Sequence, residues 1–132
     1  MISVDSSVWI DHLNDDRTPE VLRLRAILSG EEAPLVLCDT VLHEVVRGLP
    51  PKQASAVERD MRLFRVEPAS DGADAAVRAA DRYRALRAQG FTPGHADLLI
   101  ASWCLDHGFR LLHDDGAFDR MEALLGLAVE RP

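Results

Sequence analysis

The sequence contains very little lysine and is short of positive charge. Lys52 is its single lysine, and 15 basic residues face 22 acidic ones in a chain of 132 residues, for a formal net charge of -7. General nucleic-acid binders usually carry a basic surplus, so the composition does not favour that class. Any contact with nucleic acid would need positive charge supplied locally. Arginine provides nearly all of the basic side chains, and it is well suited to bidentate contacts with phosphate or carboxylate.

Long apolar runs and cysteine motifs are also missing. No stretch approaches the roughly 18 apolar residues of a membrane span, and no basic start followed by an apolar segment marks a leader. We therefore expect a cytoplasmic protein that does not contact a membrane. The two cysteines, Cys38 and Cys104, lie inside the apolar runs LVLC and IASWCL. We interpret both as reduced core residues rather than as a disulfide or a metal site.

Hydrophobic residues make up 47% of the sequence, which suits one core in a chain of this length. No internal repeat or low-complexity linker interrupts it. We therefore predict a single domain over residues 1–132.

Short apolar runs, typical of buried strands, alternate along the chain with segments of helical periodicity. Short strands are predicted at 2–5, 34–38, 64–68, 109–113 and 127–130. Helices are predicted from Val8, with Ser6 or Ser7 as the cap, and at 19–28, 41–49, 52–63, 72–89, 93–107 and 117–126. Asp39 or Thr40 is the expected cap of the third helix. Leu98, Leu99, Ala101 and Leu105 are the expected apolar face of the sixth.

Strands that alternate with helices indicate an α/β fold. Right-handed crossovers pair such strands in parallel and place helices on both faces. The prediction is a three-layer α/β/α sandwich with a mainly parallel central sheet. In this architecture the carboxyl ends of the strands meet along one edge, where ligands bind.

Acidic residues fall at this expected edge. Asp5 ends the first strand, Glu44 lies one turn into the helix after the second, Asp97 is in the first turn of its helix, and Asp114 and Asp115 follow the strand FRLLH. Crowded carboxylates repel one another unless a cation neutralises them. Oxygen ligands favour Mg²⁺ or Mn²⁺, and no His/Cys set has zinc spacing. The pattern predicts metal-assisted hydrolysis of a phosphodiester.

Four segments stand out over nearly the whole chain: VDSSVWI, the glutamate in VLHEVVRG, ADLLIASWCLDHG and LLHDDGAFDRM. Together, and in this order, they resemble the PIN-domain ribonucleases of the VapC toxin type. The resemblance implies a Mg²⁺-dependent endoribonuclease that cuts structured RNA such as transfer or ribosomal RNA. It also implies a homodimer that is held inactive by a VapB-type antitoxin.

The resemblance also assigns residues. The family's acids fall on Asp5, Glu44, Asp97 and Asp115. We assign Asp5, Asp97 and Asp115 to metal ligation and Glu44 to polarising or deprotonating the attacking water. The serine of the family's first motif falls on Ser7, where it would orient Asp5.

The last segment departs from the family pattern. It carries His113 at a position where the family often has threonine, and Ala117 where a second aspartate would stand. Asp114 or Asp119 are the candidates to replace that fifth acid. For Ala117 we expect packing alone.

Each candidate also has a simpler interpretation. Asp5 and Asp97 could serve only as a helix cap and a first-turn acid, and Asp115 could form a turn.

His95 could contact a phosphate or be a polar helix-start residue, and Trp9 and Trp103 are interpreted as core or dimer contacts rather than base-stacking platforms. The arginines of the predicted helix 72–89 could flank a site for RNA or lie on a solvated surface; they are Arg78, Arg82, Arg84 and Arg87. The alternative function is a non-catalytic PIN-like module that binds protein or RNA.

Overall fold

The computed structural model describes residues 1–30 and 34–132. Four short strands alternate with seven helices in this part of the chain. The strands are β1 (Ile2–Val4), β2 (Val36–Cys38), β3 (Arg65–Glu67) and β4 (Arg110–Leu112). The helices are α1 (Ser6–Leu13), α2 (Pro19–Ser29), α3 (Asp39–Arg47), α4 (Pro51–Met61), α5 (Ala73–Ala88), α6 (His95–His107) and α7 (Gly116–Leu125).

The strands form a parallel sheet in the order β3-β2-β1-β4. Val4 is in register with Leu112 in the β1–β4 pair, and Leu37 is in register with Val66 in the β2–β3 pair. A parallel bridge between Ile2 and Leu35 joins the two pairs. The predicted three-layer α/β/α fold with a mainly parallel sheet is confirmed, and its carboxyl ends place the acidic residues at one edge.

The predicted fifth strand at 127–130 is wrong as an element. Only Val129 pairs with the sheet, through a single parallel bridge to Leu111. Arg23 and Arg110 both bind the neighbouring Glu130, at 2.7 Å each. Two backbone hydrogen bonds of 3.0 Å hold this part of the chain to β4 together with the ion pairs. They run from Leu111 N–H to the Ala128 carbonyl and from Glu130 N–H to the Leu111 carbonyl.

Helix boundaries follow the sequence signals, whereas two predicted caps are wrong. Thr18 caps α2 through Val21 N–H, and Gly108 ends α6 with φ 70°, a left-handed conformation that suits glycine. Asp5, not Ser6 or Ser7, caps α1, which begins at Ser6. Helix α3 already includes Asp39, so neither Asp39 nor Thr40 is its cap.

Helix α6 has no single apolar face, contrary to the prediction. It begins at His95, two residues after the proline expected to start it. Leu98 and Ala101 are buried as predicted, but Ile100, Trp103 and Cys104 are buried too. A helix that is apolar on all sides belongs inside a core rather than on a surface. Asp97 therefore projects from the start of a helix whose middle turns are largely buried in the protein.

The cysteine and tryptophan predictions are confirmed as core positions. Cys38 and Cys104 are free thiols with no exposed surface. Trp9 and Trp103 are 5% and 2% exposed. In the part of the chain that the structure describes, no helix is long and apolar enough to cross a membrane.

Candidate active site

Asp5 lies at the turn between β1 and α1. Its backbone N–H donates to the Leu112 carbonyl at 2.9 Å, which ties this turn to β4. Its Oδ2 accepts hydrogen bonds from the Ser7 hydroxyl at 2.7 Å and from the Ser7 N–H at 3.2 Å. Its Oδ1 is buried and has no hydrogen-bond partner among the described residues. The residue is therefore both a helix cap and a carboxylate with one oxygen still available.

Burial is the main influence on the Asp5 carboxyl. It raises the pKa, because a charged carboxylate loses solvation inside the protein. Hydrogen bonds from Ser7 oppose this effect, and the negative charge of Asp115 adds to it. A buried carboxylate oxygen without a donor is costly for the fold. A bound cation would remove that cost.

The pKa of Asp97 reflects how the acids are grouped. The residue is only partly buried in the first turn of α6. Burial first, and then the charges of Asp5, Asp115 and Glu44 in that order, raise its pKa to about 6. The four acids contributed by β1, α3, α6 and the β4–α7 turn thus lie within one electrostatic neighbourhood. This is the convergence that the order of strands and helices predicts.

Glu44 reaches the same neighbourhood from α3. Its Oε1 accepts a hydrogen bond from the Ser6 hydroxyl at 3.2 Å, and its Oε2 lies 3.9 Å from an Arg47 nitrogen. The Glu44 side chain is only 18% exposed. Neither Ser6 nor Arg47 could be recognised from the sequence as a partner of Glu44. The only available signal was the pair of serines after Asp5, which does not indicate a contact 38 residues away.

Asp115 caps helix α7. Its Oδ1 accepts the Ala117 N–H at 2.9 Å, and its own N–H donates to Nδ1 of His113 at 3.2 Å. Asp114 is exposed, whereas Asp115 is partly buried. Ala117 packs against the core. The simpler interpretation of Asp115 was a turn residue. The structure shows that it caps a helix and that its charge also acts on Asp5 and Asp97.

The donor set suits a hard divalent cation. Carboxylate oxygens are the ligands that Mg²⁺ prefers, and the buried Oδ1 of Asp5 is available as one of them. Among residues 1–30 and 34–132, no three His, Cys, Asp or Glu side chains stand in an arrangement that would hold a metal by themselves. Mg²⁺ does not need such a cage, because it retains several waters and binds through one or two carboxylates plus phosphate. The residues therefore fit Mg²⁺ in this mode.

The arginines of α5 are largely occupied within the protein. Arg78 and Arg82 pair with Asp106 of α6 at 3.0 and 2.7 Å. Arg84 forms an ion pair with Asp81 on the same helix. His95, the other residue considered for phosphate contact, is the exposed first residue of α6. Arg78 and Arg82 thus join α5 to α6 instead of forming an open basic surface.

Comparison with known proteins identifies the family. The PIN domain family matches residues 2–124. The chain belongs to the PIN-domain family. Within this family, ribonuclease VapC11 of Mycobacterium tuberculosis is 30% identical over 129 residues, which cover 96% of each chain. The protein is thus a PIN domain of the VapC group, as the four sequence segments predicted.

Solved structures support the PIN fold independently. VapBC-1 from nontypeable Haemophilus influenzae aligns with a TM-score of 0.73 at 20% identity, over 99% of this chain and 98% of the other. Mycobacterium tuberculosis VapC20, described as a sarcin-ricin loop cleaving toxin, aligns with a TM-score of 0.70 at 23% identity, over the full length of both chains. At these identities the likeness establishes a shared fold, while function has to be argued from the site.

Proposed function

We propose that this PIN domain, spanning residues 1–132, is a Mg²⁺-dependent endoribonuclease toxin of a VapBC-type toxin-antitoxin system. The observation that carries the proposal is the buried Oδ1 of Asp5, which has no hydrogen-bond partner among the described residues. The raised pKa of Asp97, caused by burial and then by the charges of Asp5, Asp115 and Glu44, supports it. Four carboxylates held this close favour cation binding, because the cation removes their mutual repulsion. The name of the VapC11 relative, a ribonuclease, supports the same activity.

The roles of the acids follow from their surroundings. Asp5, Asp97 and Asp115 are the proposed metal ligands, directly or through bound water, for Mg²⁺ or alternatively Mn²⁺. When bound, such an ion neutralises phosphate charge and makes a nearby water more acidic. Ser7 fixes the Asp5 carboxylate by binding Oδ2, which leaves Oδ1 to face the ion.

Glu44 is the proposed base that accepts a proton from the attacking water. Its carboxylate is held by Ser6 on one oxygen and faces Arg47 on the other. A general base has to be held within hydrogen-bond reach of the proton that it accepts. Ser6 supplies that restraint from α1, the helix that Asp5 caps.

The proposed substrate is structured RNA such as transfer or ribosomal RNA. The chain carries a net charge of -7, and two arginines of α5 are paired with Asp106. Electrostatic attraction to the RNA backbone is therefore weak over most of the surface. Recognition then depends on the cation in the site and on the shape of unpaired RNA loops.

The proposed partners are a VapB-type antitoxin and a second copy of the chain. An apolar groove of about 300 Å³ lies between α1 and α4, with Trp9, Val57 and Phe64 in its lining. Leu63 at its rim is 83% exposed. A second groove of about 820 Å³ between α5 and α6 is also mainly apolar. Apolar surfaces of this kind are typical of protein interfaces, which supports association with other chains.

An RNA cleavage assay with a metal titration tests the activity. Wild-type protein should cleave RNA in Mg²⁺ and lose cleavage in EDTA. Asp5→Asn should reduce the rate by about 100-fold or more, because removing a metal ligand removes charge where it is needed in the transition state. Asp74→Asn is the control, since Asp74 is an exposed acid on α5 outside the acidic group. Full activity of Asp5→Asn would remove Asp5 from the mechanism.

One observation favours a second function, that of a non-catalytic PIN-like module that binds protein or RNA. Ala117 stands where the family pattern would place a fifth acid, and here it packs against the core. RNA binding by wild type and Asp5→Asn, with no cleavage by either, would establish the binding module instead.

A further inference from the structure

His113 is the last residue before the turn that carries Asp115. Its side chain is 4% exposed, and its ring packs against the buried Phe118 of α7 with the ring centroids 5.2 Å apart. Nδ1 accepts the backbone N–H of Asp115 at 3.2 Å. The imidazole thus contacts the backbone of a residue whose side chain belongs to the acidic site.

The hydrogen bond determines the tautomer of this histidine. Because Nδ1 accepts a hydrogen bond, the proton of the neutral ring must be on Nε2. Nε2 is buried without a hydrogen-bond partner among the described residues, and Oδ1 of Asp119 lies 3.8 Å away. A ring that carries its proton on Nε2 and accepts at Nδ1 has no lone pair left for a metal. His113 therefore acts through its neighbours rather than as a ligand.

We propose that His113 is a positioning residue that holds the Asp115 carboxylate toward the metal site. It does so by fixing the backbone of the turn at Asp115 N–H. The inference rests on the proposed function, since the position of Asp115 matters for metal binding only if a metal binds there.

Three contacts make this restraint specific. The Asp115 N–H is bound by His113, and the Asp115 Oδ1 is bound by Ala117 N–H at 2.9 Å. Phe118, in the next turn of the chain, packs on the imidazole. With backbone and one carboxylate oxygen both restrained, the orientation of the other oxygen is also set. Residues that orient a ligand in this way typically change metal affinity by 10- to 100-fold when they are removed.

Two amide substitutions separate this role from simple packing. In His113→Asn the amide oxygen lies close to the position of Nδ1 and can still accept the Asp115 N–H. In His113→Gln the amide extends toward the position of Nε2, and that acceptor is lost. Both variants remove the imidazole from Phe118, so both should lose stability to a similar degree. A difference in metal binding between them therefore reports on the hydrogen bond to Asp115.

The measurement is Mn²⁺ binding to the full chain by isothermal titration calorimetry without RNA. His113→Asn should keep the dissociation constant within about 3-fold of wild type, and His113→Gln should weaken binding by about 10-fold or more. Equal affinities in the two variants would overturn the proposal. If wild type itself binds no Mn²⁺, the metal-dependent function fails, and the next measurement tests the proposed restraint separately.

The second measurement needs no substitution. Nitrogen-15 NMR at about pH 8.5, where histidine rings are neutral, should show His113 protonated on Nε2 with Nδ1 as an acceptor. A ring protonated on Nδ1 could not bind the Asp115 N–H and would overturn the proposal. This measurement tests the hydrogen bond from Asp115 N–H to Nδ1 of His113 even if both variants fail to fold.

Discussion

The Ser7 hydroxyl donates a hydrogen bond of 2.7 Å to Oδ2 of Asp5, while Oδ1 of the same carboxylate is buried and without a partner in the described part of the chain. One oxygen is thereby fixed and the other is left for a ligand. This asymmetry is a physical reason for a serine two residues after the aspartate, because the hydroxyl both orients the carboxylate and favours its charged form.

Ser7→Ala should shift the pH dependence of RNA cleavage. Hydrogen bonds from Ser7 lower the pKa of Asp5 against the larger effect of burial, which raises it. Without the hydroxyl the pKa rises further, so a higher pH is needed to ionise the carboxyl. The acidic limb of the pH–rate profile should move to higher pH, with a larger loss of activity at pH 6 than at pH 8.

The control for this experiment is Ser29→Ala. The Ser29 hydroxyl bonds to the Arg25 carbonyl on the exposed surface of α2, so its pH profile should match that of wild type. A uniform loss of activity at every pH in Ser7→Ala would indicate lost positioning of Asp5 without any change in its ionisation.

Asp97→Asn should stabilise the metal-free protein at neutral pH. Burial first, and then the charges of Asp5, Asp115 and Glu44, raise the pKa of Asp97 to about 6 from its ordinary value of 3.8. The folded protein thus binds more protons than the unfolded chain between about pH 4 and pH 6, so stability falls as the pH rises through this window. After allowance for solvent screening at this partly exposed group, the gain from removing the charge is about 1 kcal/mol.

Urea unfolding in EDTA at pH 4 and pH 7.5 measures this effect. The variant should exceed wild type at pH 7.5, and the difference should disappear near pH 4, where the wild-type carboxyl is protonated. Mg²⁺ should then stabilise wild type more than the variant at pH 7.5. A less stable variant in EDTA at pH 7.5 would contradict the grouping of the four acids.

Asp106→Ala should destabilise the fold without acting on the site. Burial opposes ionisation of Asp106, but hydrogen bonds from Arg78 and Arg82 together hold its pKa below the ordinary range. Its side chain is only 12% exposed, so its loss leaves arginine charge poorly compensated between α5 and α6. We expect a loss of about 2 kcal/mol in the free energy of unfolding, between the values for exposed and buried pairs.

Asp81→Ala is the matched control for Asp106→Ala. Asp81 forms an ion pair with Arg84 on the surface of the same α5 helix, and its side chain is 56% exposed. Its removal should change the free energy of unfolding by less than about 0.5 kcal/mol. Thermal or urea unfolding compares the two variants, and equal losses would show that the Asp106 contacts do not stabilise the packing of α5 on α6.

Both cysteines should resist thiol reagents in the folded protein. Burial raises the pKa of Cys38 to about 11 and raises that of Cys104 as well. The thiolate is the reactive form, and neither side chain is exposed. Ellman's reagent at pH 7.5 should label the thiols only as the protein unfolds, and both should react at once in denaturant. Rapid labelling of either thiol in the native protein would contradict this burial.

The helices and strands could be predicted because they depend on local signals in the sequence. The grouping of the acids was predicted from the order of these elements. Apolar runs marked the strands, Pro19 marked the start of α2, and Gly108 marked the end of α6. Parallel strands bring their carboxyl ends to one edge, which is why Asp5 and Asp115 could be placed together although 110 residues separate them in the sequence.

Contacts between distant side chains could not be predicted in this way. The bonds from Ser6 to Glu44 and from Asp115 N–H to His113 depend on rotamers and on the approach of separate elements. The cap of α1 was assigned to serine because hydroxyls are common caps, whereas the carboxylate of Asp5 takes that role. The arginines of α5 were considered for RNA because the pattern along one helix does not reveal Asp106 on its neighbour.

Helix α6 buries six of its 13 residues, the most of any helix in the described part of the chain, while its first turn carries Asp97. Its amide protons should be among the slowest in the protein to exchange with solvent, because their hydrogen bonds break only when the core opens. It follows that Asp97, one member of the acidic group, is carried by a helix that is anchored in the core. Substitutions can then accumulate on the outer helices over evolutionary time without disturbing the position of that carboxylate.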